Sequence, residues 1–190
     1  YPKVEAFNAF IKSSSAVIGC GDTVELPESE AKVFHFEPEL SVVIGKSASR
    51  ISKSNAMEHV FGYTMFIDAS ARGLPGGFFL GKSWHTFAPM GPALVTTDEI
   101  SDPNKLALKM HVNGELRHDF STGDMARFIP EVLEEVTNVV ALEPGDVVST
   151  GTHHFSLAPI GDGDRLSMQI EGLGPNLEIK VHDPLKRKWD

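Results

Sequence analysis

Glu37 and Glu39 stand two residues apart in the apolar stretch Lys32 to Gly45, where Phe34 and Phe36 alternate with polar positions and Leu40, Val42, Val43 and Ile44 follow. Strand side chains alternate with a period of two, so both carboxylates leave on the same face. Side by side in a low-dielectric setting they repel by roughly several kcal/mol unless a proton or a cation intervenes. A solvated acidic face is the ordinary alternative for such a pair. Asp68 shifts the balance, because it follows the apolar run Tyr63 to Ile67 and precedes Ala69-Ser70-Ala71-Arg72, which brings a third carboxylate out at the end of a buried strand. Three carboxylates with room for water suit a hard dication, Mg²⁺ or Mn²⁺, with Ca²⁺ a further candidate; zinc would ask for His or Cys. Pro38 has no N–H to give a neighbour, which places it at an edge or a bulge where a strand turns its side chains toward a cleft.

The elements that must hold these groups are mostly strands. Lys32 to Gly45 reads as one long strand or two abutting ones, and Tyr63 to Ile67 as a buried strand delivering Asp68. Asn55 and Glu58 form a capping-box pattern for a short helix from Asn55 to Phe61 that ends at Gly62. Leu106, Leu108, Met110 and Val112 alternate with polar residues up to Asn113-Gly114, a strong hairpin signal, with a return strand through Leu116. Pro130 fits the first turn of an amphipathic helix in which Ile129, Val132, Leu133, Val136 and Val140 recur, expected to lie against a sheet. The turns at 143–146 and 161–164 introduce strands at Val147 to Thr150 and Leu166 to Ile170, and Leu177 to Val181 is the last strand. The sum is a single β-rich α+β domain spanning 1–190, without repeats or charge blocks.

A chain of 190 residues with net charge -9 is repelled by nucleic acid and by anionic membranes, so a small molecule is the expected ligand. That same field repels small organic acids, and an anionic substrate would need a local metal or a placed Lys or Arg. Cys20 is the one cysteine, which excludes an intrachain disulfide and reads as a small buried hydrophobe. No apolar run crosses a bilayer and no leader is evident, so a cytoplasmic protein is expected.

Six blocks resemble, in order, the signatures of the fumarylacetoacetate hydrolase family: Glu37 to Gly45, Phe61 to Arg72, Leu80 to Trp84, Phe87 to Pro92, Val112 to Glu115 and Leu142 to Thr152. The likeness runs from about Ser15 through Val181. It implies a mixed β-roll or sandwich with a few short helices, homodimers, and a Mg²⁺ or Mn²⁺ ion on Glu37, Glu39 and Asp68. It implies that Lys82 stabilises an oxyanion or binds a carboxylate, that Thr152 binds a substrate carboxylate, and that Arg72 contacts substrate unless it pairs structurally with a carboxylate. The implied reaction is hydrolysis of a C–C bond in an acylpyruvate-like or diketo acid through a metal-stabilised enolate, as in aromatic catabolism. Decarboxylases, isomerases and dehydratases share the scaffold, and a catalytically silent binding protein is the alternative from another class. The resemblance puts a His–Glu lid dyad upstream of Tyr1, which leaves one imidazole of the run His153-His154-Phe155, His153 first and His154 as its alternative, as the candidate acid, base or substrate contact, with His85 and Thr86 as lesser candidates. Gly73 stands where the family carries Asp, and a polar contact is expected to be lost there.

Overall fold

The computed structural model describes residues 7–189. Its strands are β1 (Val17–Ile18), β2 (Thr23–Glu25), β3 (Val33–His35), β4 (Pro38–Ile44), β5 (Val60–Ile67), β6 (Ser70–Arg72), β7 (Ala88–Thr96), β8 (Ala107–Val112), β9 (Glu115–Ser121), β10 (Val147–Ser149), β11 (Arg165–Ile170) and β12 (Leu177–His182). Two short helices, α1 (Gly77–Lys82) and α2 (Ile129–Thr137), and several 3₁₀ turns complete the described chain. One sheet runs β1-β7-β5-β4-β10, a second β2-β12-β11-β8-β9, and β3 pairs with β6. The pairs β1/β7 and β2/β12 are parallel and the rest antiparallel, so this is the mixed, strand-rich α+β fold expected.

The two five-stranded sheets share one core. In the second sheet the alternation seen in the sequence is the burial pattern, with Leu108, Met110 and Val112 facing inward beside Leu166, Met168, Ile170, Leu177, Ile179 and Val181. Strands β4 and β5 are buried on both faces. Leu40, Val42, Tyr63, Met65 and Ile67 join the main core, while Phe66 packs in a small separate cluster with Ala16 and Ala88. The stretch Lys32 to Gly45 is two strands, broken at Phe36-Glu37 where the chain passes from pairing with β6 to pairing with β5. Pro38 begins β4 and pairs with Ile67 of β5 on one side, while β10 reaches only Ser41 to Val43, so on its other side Pro38 has no strand partner and can do without the N–H that a fully paired position must supply.

Other expectations are refined. Asn55 precedes a 3₁₀ turn, Ala56–His59, and makes no side-chain cap bond, so the capping box is absent. Gly62 ends no helix: it lies within β5, where a Cβ would strike the carbonyl oxygen of Val95. Helix α2 stops before Val140 and packs most closely on the 3₁₀ turn at 56–59, while Ile129, Val132 and Leu133 enter the core. The Asn113-Gly114 hairpin forms as read, both residues at positive φ (53° and 84°). Cys20 is exposed, its sulfur accepting from the Glu178 N–H at 3.3 Å. Among the described residues no helix is long and apolar enough to cross a membrane.

Candidate functional site

Antiparallel pairing of β4 with β5 places Pro38 opposite Ile67, so Glu37, just before one strand, faces Asp68, just after the other. The Asp68 N–H donates to the Glu37 carbonyl at 2.8 Å and locks the two ends together. Glu39 follows on the face shared with Glu37. One oxygen of each carboxylate lies within 4.8 Å of the others, and all three side chains are buried. The spacing argument is therefore realised in space for all three acids.

Cations surround them. Lys82, the last residue of α1, places Nζ 2.6 Å from Glu37 Oε2 and 2.6 Å from Asp68 Oδ2. The glycine-rich stretch after Arg72 launches that helix: Gly73, Gly76 and Gly77 all take positive φ, at 82°, 91° and 70°, which side chains rarely adopt. What the sequence suggested as a lost polar contact is thus also the turn that aims Lys82. Arg72 pairs with Glu37 Oε1, and Lys12 pairs with Asp68 Oδ1 and donates to the Ala69 carbonyl at 3.1 Å. Lys12 was not legible as a site residue, since nothing in its sequence neighbourhood ties it to a residue 56 positions away. Ser149 and Gly151 were missed for the same reason; the Ser149 hydroxyl and the Gly151 N–H (3.2 Å) both donate to Glu39 Oε2.

The charges respond to this layout. Burial, then the neighbouring charge of Asp68, push the Glu39 carboxyl up to about 8. Burial also pushes Glu37 up, but Lys82 and Arg72 together reverse that and hold it below the ordinary carboxylate range. Burial keeps the Lys12 amine below its usual value although Asp68 pulls the other way. A buried, convergent set of hard oxygen donors, with one carboxyl raised for want of positive charge beside it, fits a divalent cation of the Mg²⁺ or Mn²⁺ kind.

The loop after β10 closes one side. The Thr152 hydroxyl donates to the Pro38 carbonyl at 2.8 Å, which places its residue beside the cluster with that proton already committed. His153 turns away, its ring 5.9 Å from that of Phe120 and 5.0 Å from that of Phe155. Its neighbour His154 is the imidazole at the site, with Nε2 3.6 Å from Glu37 Oε1. Sequence position cannot separate adjacent loop residues whose side chains point apart. His85 is exposed and contacts the Ser15 carbonyl through Nδ1 at 3.2 Å, and Thr86 at φ 71° accepts from the Glu25 N–H at 2.8 Å; both contacts are structural.

Comparison with known proteins fits this geometry. The profile described as Fumarylacetoacetate (FAA) hydrolase C-terminal matches residues 2–181. Oxaloacetate tautomerase YisK of Bacillus subtilis is 42% identical over 174 residues, covering 87% of this chain and 58% of that protein, so the chain spans little more than half of that relative's length. The solved fumarylacetoacetate hydrolase of Exiguobacterium antarcticum superposes with a TM-score of 0.87 at 36% identity, over 94% of this chain and 67% of its own. Maleylpyruvate hydrolase of Sphingobium sp. SYK-6, solved with manganese(II) and pyruvate, gives 0.85 at 34% identity, over 92% and 64%. With the fold, the order of the sequence blocks and the profile in agreement, the chain belongs to the fumarylacetoacetate hydrolase family.

Proposed function

We propose that this chain is the catalytic part of a divalent-metal-dependent enzyme acting on 2-oxo acids, and that it hydrolyses a C–C bond in an acylpyruvate-like or diketo acid. The observation that carries this reading is the convergence of three buried carboxylates, from the ends of two paired strands, within 4.8 Å of one another. Glu37, Glu39 and Asp68 would hold Mg²⁺ or Mn²⁺, as the manganese and pyruvate in the related maleylpyruvate hydrolase structure support. A dication there supplies Lewis-acid polarisation of the 2-oxo group. Lys82, 2.6 Å from two of the acids, is placed to hold negative charge on a substrate oxygen. Arg72 and the backbone N–H of Thr152 are the proposed contacts for the substrate carboxylate. His154, over Glu37, is the imidazole proposed to take and return a proton; His153 keeps that role only if its ring leaves the stack with Phe120. A homodimer is part of the proposal and is read directly by sedimentation.

The test is turnover of acetylpyruvate by chelated protein after Mg²⁺ or Mn²⁺ is returned. Activity restored by metal, and reduced about a hundredfold or more in Glu39→Gln, is expected. Turnover that ignores both chelator and substitution overturns the reading. The identity to an oxaloacetate tautomerase favours a second reading, keto–enol interconversion on the same residues. It predicts rapid loss of the enol absorbance of oxaloacetate with no pyruvate or acetate formed. A silent binding protein predicts Mn²⁺-dependent pyruvate binding with no turnover of either compound.

A further inference from the structure

Arg72 divides its donors between two acceptors. Its Nη2 pairs with Glu37 Oε1, while its Nε donates to His35 Nδ1 at 3.4 Å. A guanidinium beside a carboxylate commonly lays two parallel N–H groups on the two oxygens. Here that fork is split between an acid and an imidazole, and Lys82 holds the other Glu37 oxygen. Nη1, with two hydrogens, has no acceptor among the described residues, and the side chain is partly exposed.

The fold fixes this arrangement from the His35 side. Phe34, fully buried, turns into the core, so strand alternation sends His35 to the opposite face of β3. In the β3–β6 ladder Val33 lies opposite Arg72 and His35 opposite Ser70, which makes His35 and Arg72 diagonal neighbours on one face, within reach of a long side chain. The other flank of β3 is held as well: His35 bridges to Pro159, and the Ile160 N–H donates to the Phe34 carbonyl at 2.9 Å. The imidazole therefore stands on backbone paired on both sides. Accepting at Nδ1 leaves the ring hydrogen on Nε2, so His35 meets Arg72 as the neutral tautomer. His118 differs, being buried with neither ring nitrogen partnered among the described residues.

We propose that His35 is a positioning residue whose Nδ1 keeps the Arg72 guanidinium from a second contact with Glu37 and so presents Nη1 to the substrate carboxylate. This rests on the 2-oxo acid reading above, in which Arg72 binds that carboxylate. The test is pyruvate affinity, by calorimetry at saturating Mn²⁺, with metal loading of each variant checked by its paramagnetic resonance signal. His35→Phe keeps a ring and removes the acceptor, and should weaken pyruvate binding about tenfold, the loss of one charge-assisted contact. His35→Asn puts an oxygen where Nδ1 stood and should bring most of that affinity back, while His35→Gln puts it where Nε2 stood and should not. Arg72→Met should weaken pyruvate binding by itself, and adding His35→Phe to it should cost nothing more, because no guanidinium is left to position. Further loss in the double variant, His35→Asn no better than His35→Gln, or unchanged binding in His35→Phe overturns the positioning role while leaving the site reading intact. Pyruvate held as tightly by Arg72→Met overturns the roles of Arg72 and His35 together. Pyruvate that fails to bind the unsubstituted protein with Mn²⁺ overturns the 2-oxo acid reading, and this role with it.

Discussion

Lys12 and Lys82 divide the two oxygens of Asp68 between them, so each ammonium is a counter-charge that a metal ion has to replace or work beside. Lys12 holds one acid and the Ala69 carbonyl, whereas Lys82 bridges two acids, Asp68 and Glu37. Lys12→Met should therefore destabilise the metal-free protein by about 2 kcal/mol, less than the full cost of breaking a buried pair because Lys82 remains. Mn²⁺ should recover most of that loss; thermal melts with and without the ion check it. His118 carries a prediction of another kind. Burial, then His153, lower its imidazole from an ordinary 6.5 to about 4, so the folded protein holds the neutral form. The linked stability is fully present above pH 6.5, is lost as pH falls through 4, and amounts at most to roughly 3 kcal/mol. His118→Phe should flatten urea midpoints across that window and should not lower the midpoint at pH 7, because two unmet nitrogens go with it. An unchanged acid slope in the variant would show that the imidazole is solvated.

Among the elements, β5 matters most to the site, because it carries Asp68 at its end and lies between β4 and β7. Its contact with β7 is close enough at Gly62 that an added methyl would strike Val95 backbone, which cannot swing aside as a side chain can. Gly62→Ala should cost about 3 kcal/mol or more, as overpacking against fixed atoms does, and should reduce the fraction of protein that loads metal. Denaturant titration and metal counting on the same sample measure both effects. The hairpin β8–β9 shows the opposite case, an element announced by two residues. Its bulge between Met110 and His111 was not announced, yet it sets the register that turns His118 inward beside Phe36.

For the whole molecule, three acids brought together by folding make a site that the unfolded chain lacks, so a cation that binds them stabilises the fold by linkage. At a concentration a hundred times its dissociation constant, Mn²⁺ should add about 2.7 kcal/mol, seen as a raised melting temperature that Glu39→Gln abolishes. Much of this protein was legible beforehand. The strand alternation, the Asn113-Gly114 turn, the Pro130 helix start, the shared face of Glu37 and Glu39 and the place of Asp68 at the end of an apolar run are local facts, fixed by backbone geometry and side-chain period, whereas the meeting of Asp68 with the two glutamates rests on the pairing of β4 with β5. The local facts determined the fold class and which acids were candidates to meet. Only the tertiary structure decided which cations stand among those acids, that His154 rather than His153 faces them, and that Gly62 belongs to a strand. Those outcomes depend on contacts between residues far apart in the chain, where no local periodicity carries information and only the packing of one sheet on another sets the distance.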